Sequence, residues 1–131
     1  MKLSPAGRRD ALLSFVLRDL DLYLATSIKE NADGEITAVE LREEGYECAT
    51  LTKTDWKLSR REGKVIAKSD QKTWIFSEPF KSEIVGFYLT RPGDDEILYA
   101  EEFADGPYDI KRPGESVKVS VVLDSPAKQE K

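Results

Sequence analysis

The stretch Ile84-Val85-Gly86-Phe87-Tyr88-Leu89-Thr90, followed after a polar turn by Ile97-Leu98-Tyr99-Ala100-Glu101-Glu102-Phe103, restricts the fold more than any other part of the chain. Successive side chains of a strand point to opposite faces. Unbroken alternation puts Ile84, Gly86, Tyr88 and Thr90 on one face and Val85, Phe87 and Leu89 on the other. Both faces are then apolar and both need a cover, which predicts a strand at the centre of a sandwich or under a neighbouring chain. Arg91-Pro92-Gly93-Asp94-Asp95-Glu96 reads as the hairpin loop joining the two runs. Gly86, inside an apolar strand, predicts a close backbone approach or a bulge. Adjacent Glu101 and Glu102 fall on opposite faces, one inward or at an interface and one solvated. They therefore cannot flank one glycosidic bond from the same side.

Further strands are expected over 22–28, 46–53, 64–69, 72–76, 83–90, 96–103 and 116–123, with glycine- and proline-bearing polar stretches between several of them. In the first of these, Leu22, Leu24 and Thr26 share a face opposite Tyr23, Ala25 and Ser27. Asn31-Ala32-Asp33-Gly34-Glu35 reads as a turn. Its side-chain oxygens faintly resemble a calcium loop but lack the closing bidentate glutamate. Two helices are expected. One follows the Ser4-Pro5 cap and runs from Ala6 to Leu20, with Leu13, Val16 or Leu17, and Leu20 on its apolar side. The other starts at Thr37, whose capping-box partner would be Glu40, and ends at Gly45. The expected fold is mainly β: an antiparallel β-sandwich or jelly-roll-like barrel with an N-terminal helix and one short helix. The organisation is an amphipathic segment over 1–20, a β-rich domain over 21–124 and a flexible tail over 125–131.

A chain of 131 residues can bury a core without staples. No apolar run reaches the roughly 18–20 residues of a membrane helix, and the early charges in MKLSPAGRRDALLSF read as mature protein instead of a signal peptide. Cys48 is the single cysteine, so no disulfide can form within the chain, and it is expected to be a small buried side chain. With no histidine, Ser-His and Cys-His nucleophile pairs are excluded. The glycine at 93 is flanked by carboxylates that would repel a phosphate. No catalytic group, cofactor or metal site is read from the residues, and no enzyme activity is expected.

Charge is more informative. The net charge of −5 and pI near 4.9 argue against nucleic-acid binding over the whole surface. The segment 53–72 nevertheless holds Lys53, Lys57, Arg60, Arg61, Lys64, Lys68 and Lys72 against Asp55, Glu62 and Asp70. The segment 91–109 is strongly acidic. Lys53, Lys57, Arg60, Arg61, Lys64 and Lys68 are therefore the candidate partner-contact residues, facing either an acidic partner or neighbouring copies. Trp56 and Trp74 border this segment, but it has neither the aromatic-glycine pattern of RNA-binding sheets nor zinc-finger spacing. Trp56, Trp74, Phe76, Phe80, Phe87, Tyr88, Tyr99 and Phe103 could supply a carbohydrate platform, although core packing accounts for most of them.

Several motifs in order resemble a group of small bacteriophage virion proteins. An early strand, Leu22-Tyr23-Leu24, is followed by Glu40-Leu41-Arg42-Glu43-Glu44-Gly45-Tyr46, then by Leu51 and Trp56. Gly86-Phe87-Tyr88, Leu98-Tyr99-Ala100-Glu101-Glu102-Phe103 and Gly114-Glu115-Ser116-Val117-Lys118-Val119 complete the series. The resemblance covers residues 20–123; the N-terminal segment departs from it. It implies a non-enzymatic capsid cement or decoration protein, made in the host cytoplasm and carried on the virion surface. The partners it implies are the major capsid protein or further copies of itself, without membrane contact. A tail-fibre or baseplate module binding a receptor or carbohydrate is the alternative.

Overall fold

A computed structural model describes residues 2–3, 18–61 and 64–124. Within them the chain is mainly β, as expected, and its strands pair antiparallel throughout. The largest sheet has six strands. Its order is β1 (Lys2–Leu3), β10 (Ile97–Glu102), β9 (Gly86–Thr90), β2 (Leu20–Glu30) and β3 (Ile36–Glu40), with β4 (Ala49–Leu51) pairing the start of β2. The described residues also form three smaller sheets: β5 (Trp56–Arg61), β6 (Lys64–Ser69) and β13 (Val122–Asp124); β7 (Lys72–Ile75) with β12 (Ser116–Val119); and β8 (Glu83–Ile84) with β11 (Tyr108–Asp109).

The hairpin β9–β10 is central, as its two-sided apolarity predicts. All five residues of β9 are buried. Phe87 and Leu89 enter the main core with Leu20, Leu22, Leu24 and Tyr99. There they meet Trp56, Ala67, Trp74, Ile84, Val117 and Leu123 from the smaller sheets, and Phe76 just after β7, giving a two-layer, sandwich-like packing. A second cluster lies on the opposite side of the large sheet, formed by Ala25, Ile36, Tyr88 and Ala100 with Tyr23, Ile28, Ala38 and Ile97 against them. Tyr23 and Tyr88 are register partners whose rings stack at 4.9 Å and 14°. Such a pair contributes about 0.5–1.5 kcal/mol beyond the area it buries.

Gly86 is a packing position. A Cβ there would fall on the Glu101 carbonyl oxygen, 2.8 Å from Ile28 Cδ1 and 2.9 Å from Glu102 Cα. Val85 breaks the strand before it: its N–H donates to the Ala25 carbonyl, and its own carbonyl accepts from Phe103 N–H. Alternation therefore restarts at Gly86. Ile84 shares the main core with Phe87 and Leu89, not the face of Tyr88 to which unbroken alternation assigns it.

The long strand β2 changes partner halfway. Leu20–Leu22 pair with β4, Ala25–Glu30 pair with β3, and a bulge lies between Ala25 and Ser27. Leu24 at the junction is satisfied from outside both ladders. Its N–H donates to Tyr46 Oη at 3.1 Å, and its carbonyl accepts from Leu41 N–H at 2.9 Å. The bulge also shifts parity, so Ile28 instead of Ser27 joins the face of Tyr23 and Ala25.

Several expectations are corrected. The segment from Thr37 to Glu40 is strand, not helix: pairing with β2 and the burial of Ile36 on the second cluster outweigh the local capping-box spacing. Gly45 does adopt the left-handed conformation, at φ 86°, but in a turn between strands. Cys48 is exposed, because it lies in the coil before β4 and not in a strand starting at Tyr46. The N-terminal helix falls on residues outside those described, except at its end, where Leu20 opens β2. The tail 125–131 also lies outside the described residues.

Candidate partner-binding surface

The basic segment folds as a 3-10 turn, Lys53–Asp55, followed by the β5–β6 hairpin. Asp55 fixes the entry. Its carboxylate accepts from Thr52 N–H at 2.7 Å and Thr52 Oγ1 at 3.2 Å, and it pairs with Lys72 Nζ at 3.4 Å. The Thr52 backbone bond, helped by Lys72, holds the Asp55 carboxyl below its usual range despite some opposing burial. Asp70 N–H then donates to the Asp55 carbonyl at 2.7 Å, tying the start of β5 to the end of β6.

The register divides the six candidate residues. Lys57 stands directly opposite Lys68, and Arg61 opposite Lys64 at the far end of the hairpin. Arg60 alternates to the face of Leu58, away from Lys57, and Lys53 stays in the 3-10 turn. Lys53, Lys57, Arg60 and Lys68 are all exposed. Leu58 opposes the buried Ala67, yet is 59% exposed, so this part of β5 projects past the core. Trp56, two residues earlier, is buried. The six are thus not one patch: the structure brings Lys57 and Lys68 together and separates Arg60 from them.

Lys57 and Lys68 line a cavity of about 420 Å³ together with Ser69, Asp70, Gln71 and Ser120. Its floor is held by main-chain and hydroxyl bonds. Ser69 N–H donates to the Val121 carbonyl and Val121 N–H to Ser69 Oγ, each at 2.8 Å. Ser120 Oγ donates to the Ser69 carbonyl at 2.7 Å, and Ser69 Oγ to the Asp70 carbonyl at 3.0 Å. Charge-based reading of the sequence misses Ser69, Gln71 and Ser120. The one available signal is Ser120, a polar residue within an otherwise alternating apolar run, and it marks the break between β12 and β13.

The acidic segment offers less free charge than its composition suggests. Arg91 reaches Asp94 and Glu96, each at 3.7 Å, Lys111 reaches Asp109 at 3.7 Å, and Tyr108 Oη donates to Asp105 at 2.5 Å. Glu101 is half-buried and accepts from Tyr99 Oη at 2.6 Å, whereas Glu102 is exposed, so the two carboxylates divide as alternation predicts. Trp56, Trp74, Phe76, Phe87, Tyr88 and Tyr99 are buried. Trp74 Nε1 donates to the Glu47 carbonyl at 2.7 Å, a bond that anchors the ring inside the fold. Among the described residues, no group of three His, Cys, Asp or Glu side chains is arranged to hold a metal ion. No protein-family model matches the chain, and no curated protein or solved structure matches it either.

Proposed function

We propose that this chain is a non-enzymatic structural protein of a bacteriophage particle, a cement or decoration protein that reinforces contacts between major capsid subunits. The observation that carries this reading is the basic β5–β6 hairpin. It rests on a packed two-layer domain, projects Leu58 beyond the core and presents Lys57 and Lys68 side by side. A rigid domain with an exposed basic edge suits repeated weak contacts on an acidic lattice, where avidity replaces a single tight site. Within this proposal the domain is an antiparallel β-sandwich, not a closed jelly-roll barrel, because its second layer is three separate small sheets. A tail-associated carbohydrate module would need aromatic rings at the surface, and the rings that could serve are mostly in the core.

The test is binding of the purified protein to particles. Co-sedimentation with capsids is expected at low salt and should weaken as ionic strength rises, since the Debye length shrinks from about 10 Å at 0.1 M to about 3 Å at 1 M. Copy number in a purified particle separates locations: hundreds of copies fit the capsid lattice, while small multiples of three or six fit the tail. Absence from capsids at every salt concentration sinks the proposal.

A further inference from the structure

Two lysines facing each other across a β-ladder repel, and like charges at that spacing are destabilising unless an anion sits between or beside them. Lys72 and Lys111 each meet a carboxylate. Lys57 and Lys68 meet none among the described residues, although they are direct register partners. They also overlook a concavity of about 420 Å³, within the size range of small-ligand sites. From this we infer that the notch between Lys57 and Lys68 is a carboxylate-binding site, taking one Asp or Glu side chain of a protein partner.

The chemistry of the walls selects that ligand. The two ammonium groups supply point charges, and Gln71 in the same lining carries a neutral amide that can donate. The hydroxyls of Ser69 and Ser120 already donate to main-chain carbonyls, and Ser69 Oγ accepts from Val121 N–H, so they shape the floor while the ligand's partners come from the rim. Asp70 adds one negative charge to the same lining. Two cations against one anion leave a single positive charge, which balances a monocarboxylate and leaves a phosphate dianion half-neutralised against its larger desolvation cost. The floor is preorganised by the Ser69–Val121 bonds, so little ordering cost falls on binding. The inference depends on the capsid reading only for where the carboxylate comes from.

The experiment is a titration of the isolated protein, followed by amide chemical shifts, with hexaglutamate as probe and hexaglutamine and inorganic phosphate as comparisons. Hexaglutamate should give saturable shifts confined to Lys57, Lys68, Gln71, Ser120 and their neighbours, and hexaglutamine none. The double substitution K57Q/K68Q should weaken binding by about tenfold or more, while peak dispersion elsewhere shows the fold intact. D70N should tighten binding and lift phosphate towards the peptide. Absence of localised shifts, unchanged affinity in K57Q/K68Q, or phosphate binding to the wild type as tightly as hexaglutamate would each overturn the inference. Because no particle is used, a positive titration beside capsids that ignore the protein removes only the capsid reading. The converse result removes only the site.

Discussion

Replacing Gly86 with alanine drives a methyl group into the Glu101 carbonyl oxygen and Glu102 Cα, main-chain atoms of the strand that pairs with it. Neither can move without opening the β9–β10 ladder, so Gly86→Ala is expected to cost about 2–3 kcal/mol. A urea titration should show a lower midpoint with unchanged slope. Asp55 makes a pH-dependent contribution. Its folded pKa lies below the unfolded value of about 3.9. The stability it confers is complete above that value and is lost as pH falls through the lower, folded one. Asp55→Asn should therefore destabilise the protein by about 1 kcal/mol near pH 7. In parallel thermal melts, the gap between the two proteins should hold down to about pH 4 and narrow progressively below it; a gap that does not narrow in that acid range contradicts the assigned role. Cys48 is exposed, but partial desolvation and then the Asp21 and Glu40 carboxylates push its thiol pKa up, which disfavours the nucleophilic thiolate.

Among the elements, Tyr46 does the most with one atom, since its hydroxyl takes the Leu24 N–H at the point where β2 passes from β4 to β3. Burial raises the Tyr46 pKa, so the phenol stays neutral through the ordinary pH range. Tyr46→Phe leaves a buried N–H without its acceptor and should cost about 1–3 kcal/mol. The Leu24 amide should exchange with solvent faster in the variant by more than the global change explains. Strands with both faces apolar, or with clean alternation, are legible before folding: 64–69 and the hairpin around Arg91–Glu96 fall where the pattern puts them. The exceptions have physical causes. Thr37 and Glu40 have helix-start spacing, but the cross-strand partners that overrule it, Lys29 and Ala25 across the turn at 31–35, lie outside the four residues on which that spacing is read. Strand β5 is hidden because WKLSRR carries three cations and leaves Leu58 uncovered, so its pattern resembles a loop. Parity is lost at Val85 and again at the β2 bulge, and single-residue interruptions of this kind leave no trace in composition. Of the candidate surface, the cations are readable from sequence. The Ser69–Ser120 floor is not, because 51 residues separate its halves.

At the scale of the whole molecule, sheets close through pairs far apart in the chain: Lys2 with Ala100, Trp74 with Val117, Ala67 with Leu123. Such topology is slow to assemble, since loop closure is paid before the contacts repay it. Refolding by stopped-flow dilution from urea should fall in the millisecond-to-second range; microsecond folding would contradict the pairing. The same sheet has a further consequence through its partner change at Leu24. Because β2 divides one side between β4 and β3, and β1 covers only Tyr99 and Ala100 of β10 on the other, the outermost strands of the large sheet among the described residues have two, three and five residues. A stepped border of that kind offers no long, flat row of free amides and carbonyls on which another molecule could template. The large sheet is therefore a poor template for edge-to-edge growth, and the longer border strand β5 of the three-stranded sheet is blunted by the charges of Lys57 and Arg60.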